Sequence, residues 1–526
     1  MDTEKPVVSS SSSDKEAASI QVPHETPLYN AHIDTSGIDE RKLLRKIDLA
    51  LIPWLSFLYL LSFLDRTSIG NAKSAFLNDA GQLYNLEDDL NITDNQYLIS
   101  LTVFFFSYAV FEVPSNVFLK RLRPSIWLSG LMLLWGVMMT VQGLVHDYGG
   151  LVTLFITQAM RFFLGVFEAG LFPGVNYYLS CWYKRSEFGI RAAVFFSAAT
   201  VSGAFGGLLA AAIAQMDGVG GKPAWAWIFI LEGLITVVAG VFSFWIIQDF
   251  PDTAKFLSET ERTVVVRRLQ SDDQFSAAGE KLRWRYIKQS LFDWKTWVGM
   301  LIYAGCDMPL YAFSLFLPSI INQLGDFASN RTVANLLTVP VYVFACIITC
   351  LVGFLADRLG NRGYFNLGFY CLGAAGYIIL IASRNPAVSY FAVFLAACGI
   401  FPNIPNTIAW MSNNVEGSYK RSVTLGMVIS FGNINGAVSS NVYRAADAPW
   451  YPLGHGLVLM YIGIGIVTSC IYLFFVKREN AKRDRGERDE IIGDSKTGHE
   501  KNGQYATVAE AKREKGDEWS GYRYIL

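Results

Sequence analysis

Twelve apolar blocks run along the chain, at about 47–66, 97–119, 126–145, 152–179, 190–214, 225–248, 297–321, 332–355, 364–382, 388–411, 422–444 and 456–476. Each is close to the roughly 20 residues a helix needs to cross a hydrocarbon core. The pattern predicts an all-α membrane protein with twelve transmembrane helices. Residues 1–46 are polar, with a serine run from Ser9 to Ser13 and no apolar core of signal-peptide type, so they read as a disordered tail. The first block then serves as an uncleaved signal anchor. Residues 477–526 are equally polar and also read as a disordered tail. A charged, partly amphipathic stretch, 249–296, reads as a linker against the membrane surface. It divides the blocks into an N-terminal bundle over 47–248 and a C-terminal bundle over 297–476, with six helices in each.

Basic residues alternate from loop to loop. Arg41, Lys42, Arg45 and Lys46 precede the first block, Lys120, Arg121 and Arg123 follow the second, and Lys184, Arg185 and Arg191 lie between the fourth and fifth. Arg358 and Arg362, Lys420 and Arg421, then Lys477 and Arg478 continue the series, while the intervening loops are poor in Lys and Arg. By the positive-inside rule both tails are cytoplasmic. The sequons Asn91-Ile92-Thr93 and Asn330-Arg331-Thr332 fall in loops assigned to the outside, which agrees.

Composition removes several function classes. The chain is 52% hydrophobic and 17% charged, where a soluble domain carries about 25% charged residues. Its net charge of −1 gives no field that would attract nucleic acid. The cysteines lie in or beside apolar blocks, which predicts free, buried thiols. The histidines lie mainly in tails and loops, and no G-x-x-x-x-G-K-[ST] sequence occurs. No metal site, cofactor, catalytic constellation or direct ATP drive is therefore expected. A monomer in the lipid bilayer is expected.

Ionisable residues inside the blocks carry the functional information. Arg161 and Glu168 sit seven residues apart in RFFLGVFEAGLFPG, about two helical turns, so both project from one face. A charge at the centre of a bilayer helix costs roughly 2.5–3.5 kcal/mol, so such residues need a partner or a wet cavity. Arg161 suits a carboxylate through its planar fork of donors. Glu168, Glu112 and Asp307 are candidate proton carriers, the last two standing just before Pro114 and Pro309. Adjacent Asp65 and Arg66, at the outer end of the first helix, point to different partners and read as gating residues; Glu232 reads as structural. Asn403 and Asn406, with Pro402 and Pro405, predict a broken helix lining a cavity, and Asn433 and Asn435 extend that polar wall. Tyr177, Tyr303 and Tyr311 are candidates for stacking on a planar solute.

The two halves repeat. A shift of 229 positions superposes Phe172-Pro173 on Phe401-Pro402, Gly203 on Gly432 and Gly207 on Gly436. A duplicated bundle binds its solute between halves that rock against each other. The loop GFLADRLGNRG (Gly353 to Gly363) resembles the signature loop of the major facilitator superfamily. The resemblance implies that Gly353 allows close helix approach, Asp357 ties the loop to a neighbouring helix, and Arg358 and Arg362 complete a charge network. The matching loop of the first half, VFLKRLRPS, departs from it, with Lys120 where the aspartate would be. Three stretches, LDRTSIGNAK, RFFLGVFEAGLFPG and WYKRSEFGIR, resemble the anion:cation symporters, chiefly the fungal allantoate permease branch. Others around CDMPLYAFSLFLPSIINQLG and EGSYKRSVTLGMVISFGNINGAVSSN resemble the nicotinic acid permease group. The resemblance implies proton-coupled symport of a small organic anion, such as nicotinate or another carboxylate or ureide, at a fungal plasma membrane. The alternatives are an efflux antiporter for drugs or metabolites, disfavoured because SGAFGGLL lacks a Gly-Pro step, and a non-transporting nutrient sensor with the same fold.

Overall fold

The computed structural model describes residues 29–30, 32–73, 76–77, 83–84, 86–90, 92–145, 151–272, 284–322, 331–443, 450–493 and 498–526. Residues 1–28, and the sequon residues Asn91 and Asn330, lie outside the described residues. The first six helices are α1 (Glu40–Lys73), α2 (Asp94–Arg121), α3 (Pro124–Gln142), α4 in two pieces (Leu151–Glu168 and Leu171–Ser180), α5 (Phe188–Ile213) and α6 (Ala224–Ile246). The second six are α7 (Trp294–Asn322), α8 (Arg331–Leu359), α9 (Arg362–Ala382), α10 in two pieces (Pro386–Ile400 and Asn403–Asn413), α11 (Ser418–Ser439) and α12 (Pro452–Asp484). Local signals set their starts. Thr93 and Gln96 form a reciprocal capping box at α2, and proline opens α3, α10 and α12, where its missing N–H leaves no helical bond unmade.

Eleven of these helices are long and apolar enough to cross a membrane. The twelfth, α11, has the length but carries Lys420, Arg421, Asn433 and Asn435, because it packs against α7 and α2. Large apolar side chains such as Phe155, Trp245, Phe391 and Phe474 point outward, as lipid contact requires. The cysteines are free, as expected, but Cys371 and Cys470 are exposed on the bundle exterior and only Cys306 and Cys398 are buried.

The two halves meet along two seams, α5 against α8 and α2 against α11. These pairs exchange under a six-helix shift, so the seams are related by the same pseudo-twofold that the repeat in the sequence implies. At the end of the α5–α8 seam, Asp357 accepts hydrogen bonds from Gly189 N at 3.2 Å and Ile190 N at 2.6 Å. A carboxylate from one half thus caps the first turn of a helix in the other, where free N–H groups and the helix dipole favour negative charge. Arg362 pairs with the same carboxylate, whereas Arg358 is exposed. A side chain at Gly353 would place its Cβ 2.5 Å from the Ala193 methyl, so the crossing needs glycine.

The start of α1, the 249–272 linker and the end of the chain share one face, through Lys46–Glu261 at 2.7 Å and Arg268 bonded to both Glu40 and Glu187. Residues 477–493 and 498–526 are not the disordered tail that their polarity suggests. Helix α12 runs on to Asp484, a short parallel ladder pairs Ile491–Ile492 with Gln504–Tyr505, and a helix spans Val508–Lys515. The segment from Asp517 then lies across the ends of α7 and α9 to α12. Its anchor is Asp517, wholly buried between Lys295 and Lys420, the latter at 2.8 Å. Burial alone would push this carboxyl up, but the two ammonium groups outweigh it and hold it below the ordinary carboxylate range. The stabilisation is therefore complete above the unfolded carboxyl value near 4 and is lost only as pH falls through the lower folded value. Composition missed this because one carboxylate between two lysines, with Tyr522 and Tyr524 buried beside it, outweighs a polar average.

Replacing Gly353 by valine should force α5 and α8 apart and cost on the order of 1–3 kcal/mol. The expected readout is a lower melting temperature of the detergent-solubilised protein; an unchanged value would show that this crossing tolerates a side chain.

A buried arginine–glutamate centre as the candidate functional site

Helix α1 places Ser62 and Arg66 one turn apart on the face turned to the molecular centre. The Arg66 guanidinium donates from Nη2 to Glu168 Oε1 at 2.6 Å, and Ser62 Oγ donates to the same oxygen at 2.8 Å. Glu168 is the last residue of the first piece of α4, just before the break at Ala169-Gly170, and it is fully buried. The other amino group of Arg66 bonds the Tyr311 hydroxyl on α7. Tyr311 donates to Asn433 Oδ1 on α11 at 2.7 Å, and Asn433 Nδ2 donates to Glu112 Oε2 on α2 at 3.1 Å. One continuous polar chain, Ser62–Glu168–Arg66–Tyr311–Asn433–Glu112, therefore crosses between the halves twice.

Aromatic rings enclose Arg66. Its guanidinium carbon lies 4.9 Å from the Tyr108 ring centroid, 5.6 Å from Tyr311, 5.7 Å from Phe63 and 5.9 Å from Phe104. A cavity opens beside it, lined by Phe63, Arg66, Phe104, Phe105, Arg161 and Tyr311 among others. Two guanidiniums thus edge a hollow whose other walls mix aromatic rings with the aliphatic and hydroxyl side chains of Leu101, Leu315, Thr67, Ser314 and Ser440.

Charge balance in the interior is uneven. Among the described residues, the membrane interior holds the carboxyls of Asp65, Glu112, Glu168, Glu232 and Asp307 against the guanidiniums of Arg66 and Arg161. Of these carboxyls, Glu168 has a cation at hydrogen-bonding distance. Asp307 Oδ2 is buried without a hydrogen-bond partner. Burying a carboxyl oxygen without a partner is costly, so the interior carries more acidic groups than its two guanidiniums satisfy.

The residues anticipated from sequence separate into two groups. Tyr311, Asn433, Glu112, Glu168 and Arg66 meet at the centre, with Arg161 at the cavity edge and Tyr303 packed beside Asp307 against Gly432. Arg161 shares a helix face with Glu168 but has a different neighbour: with the Gln142 carboxamide turned to present its oxygen, the guanidinium donates to it at 3.0 and 3.2 Å, and it faces Phe229. Four further candidates lie elsewhere. Tyr177 is buried against Phe250, outside the cavity. Asn403 donates to the Gly399 carbonyl at 2.9 Å and closes the break in α10. Asn406 bonds Arg362 and Asn366 inside the C-terminal bundle. Asn435 accepts from Tyr461 on α12 at 2.8 Å. Asp65 is buried within the N-terminal bundle: it accepts from Thr236 at 3.2 Å and, with the Ser68–Glu232 bond, joins α1 to α6. Sequence reasoning passed over Ser62, Phe104 and Tyr108. The four-residue spacings Ser62–Arg66 and Phe104–Tyr108 were the available signal.

Substituting Arg66 by alanine should leave Glu168 buried without its cation and lower stability by about 3–5 kcal/mol. Adding Glu168→Gln should recover much of the loss. A double-mutant cycle on thermal unfolding checks this, and additive losses, with coupling under about 0.5 kcal/mol, would refute a functional ion pair.

Comparison with known proteins agrees with this architecture. The Major Facilitator Superfamily matches residues 55–440. The MFS-type transporter cnsO of Penicillium expansum is 35% identical over 461 residues, covering 85% of this chain and 86% of its own length. The high-affinity nicotinic acid transporter of Saccharomyces cerevisiae is 32% identical over 445 residues, covering 84% of this chain and 79% of its own. The solved proton:xylose symporter XylE, bound to 6-bromo-6-deoxy-D-glucose, superposes with a TM-score of 0.63 over 81% of this chain and 95% of that one, at 14% identity, a likeness of fold. Two six-helix halves around a charged central cavity, matched along most of their length by carriers, are not an enzyme: the chain is a multi-pass membrane transporter and belongs to the major facilitator superfamily.

Proposed function

We propose that this transporter takes up a small organic anion together with a proton, by exchange of carboxylates on Arg66. The observation that carries the reading is the 2.6 Å Arg66–Glu168 pair at the edge of a partly aromatic cavity between the halves. An incoming carboxylate has the same geometry as Glu168 and competes for the same guanidinium. When the substrate takes Arg66, Glu168 is left buried without a cation, and a proton becomes its cheapest compensation. Substrate and proton then occupy the site together, with its net charge unchanged from the resting ion pair plus an anion and a proton. Arg161 supplies a second positive edge, and Tyr311 and Asn433 tie occupancy to the opposite half. Glu112 and Asp307 are further proton positions.

The rings around Arg66 favour a planar substrate, and nicotinate fits both that shape and the substrate for which the yeast relative is named. The positive-inside pattern supports cytoplasmic termini, and a fungal plasma membrane suits an uptake carrier. The carrier acts as a monomer in this reading, since both halves of the site lie on one chain.

Two outcomes test the proposal. Uptake of labelled nicotinate, allantoate, pantothenate, biotin and dicarboxylates by a permease-deficient yeast identifies the anion; transport of neutral solutes alone would refute it. With the identified anion in proteoliposomes, Glu168→Gln should keep exchange but lose accumulation driven by an imposed pH gradient. Arg66→Ala should lower uptake by roughly 30-fold or more, the equivalent of at least about 2 kcal/mol. Parent uptake that ignores the pH gradient would remove the proton from the mechanism.

A further inference from the structure

Segment 517–526 is fastened to the C-terminal half by many bonds and to the N-terminal half through Arg185. On the first side, Trp410 Nε1 and Asn414 Nδ2 each donate to the Ile525 carbonyl at 2.9 Å, and Gly363 N donates to the Leu526 carbonyl at 3.2 Å. The Tyr522 hydroxyl donates to the Asn413 carbonyl at 2.7 Å, and Arg483 Nη1 donates to the Tyr522 carbonyl at 2.8 Å. On the other side, the Arg185 guanidinium lies 4.7 Å from the Tyr522 ring centroid and donates from Nη2 to the Arg523 carbonyl at 3.2 Å. Asn413 Nδ2 completes the junction by donating to the Arg185 carbonyl at 2.8 Å.

Arg185 stands four residues before Gly189, whose N–H, with that of Ile190, is capped by Asp357 from the opposite half. When the halves part on this face, the Asp357 cap and the Arg185 junction must both open. The two junctions differ in kind. The Asp357 cap and the Asn413 bond to the Arg185 carbonyl belong to the bundles themselves, whereas the grip on the Arg185 guanidinium belongs to an appended segment that the central site does not need. Its attachment is also lopsided. Letting go of Arg185 leaves all the bonds to α9, α10 and α12 intact, so the segment can release one half while it stays docked on the other.

We propose that residues 517–526 form an autoinhibitory latch, carried by the C-terminal half, that holds this face of the transporter shut by gripping Arg185 with Tyr522 and the Arg523 carbonyl. A half-buried cation–ring contact together with a charge-assisted hydrogen bond shifts a two-state balance by roughly five- to ten-fold, enough to set how often the face opens. Whatever draws Tyr522 away raises the opening frequency without touching the central cavity.

The test is substrate-free hydrogen–deuterium exchange on the full chain in lipid nanodiscs. The reporters are the Gly189 and Ile190 amides, which bond Asp357 and make no hydrogen bond to the segment. Tyr522→Leu and Arg185→Gln, each made separately, should speed exchange of the peptide containing these amides by about five-fold or more, because each opening exposes them. Exchange there within about two-fold of the parent in both variants overturns the latch, even where residues 517–526 themselves exchange faster. Having two variants, one on each side of the contact, keeps the test decisive if either fails to fold.

Discussion

Glu168 and Arg66 face each other in a region closed to bulk water, and the polar groups around them are arranged in relation to that pair. Neither charge can be held there alone without a penalty of several kcal/mol, so each constrains the other's position. The constraint passes outward. Ser62 fixes one oxygen of Glu168, Tyr311 fixes the far side of Arg66, and Asn433 turns Tyr311 toward Glu112. Four helices besides α1 are thereby held in register by one ion pair. The same dependence makes the centre responsive, because anything that substitutes for Glu168 on Arg66 disturbs groups on both halves at once.

The seams let that disturbance become motion. Two helix pairs related by pseudosymmetry join the halves, and both rely on small residues where backbones or rings approach closely. Gly436 on α11 admits the Phe105 ring from α2, and Gly353 on α8 admits the Ala193 methyl from α5. Surfaces of this kind slide or separate as units, since little side-chain interdigitation has to be undone. Ionic contacts on the termini face, centred on Asp357, then decide how readily one side parts.

Much of this was legible in the sequence, for physical reasons that differ by feature. The spans follow from length and apolarity, which the bilayer imposes on every crossing helix. The repeat at 229 positions foreshadowed the paired seams, and Asp357 falls where the signature loop implies. The partner of Glu168 was not legible. Helical spacing shows which residues share a face, as Arg161 and Glu168 do, but not which neighbouring helix presents the opposite charge. Adjacent Asp65 and Arg66 were expected to diverge and do, to α6 and α4 respectively. The asparagines divided because a carboxamide inside a membrane helix bonds whatever lies nearest, a backbone carbonyl for Asn403 and a tyrosine for Asn433. The order in residues 477–493 and 498–526 depends on distant lysines, and no local average of polarity contains that information.

Helix α11 carries one consequence for how the protein is made. Its Lys420, Arg421 and asparagines leave it outside the set of helices apolar enough to cross on their own account. A segment of this kind partitions poorly as a lone helix during synthesis, since each charged or strongly polar residue opposes release into lipid. It has to enter the bilayer in company, with α7 already present to receive it and α2 waiting from the other half. Integration of the C-terminal bundle is thus tied to assembly, and chains whose early helices fail to gather would strand α11 at the translocation machinery, where quality control can recognise them.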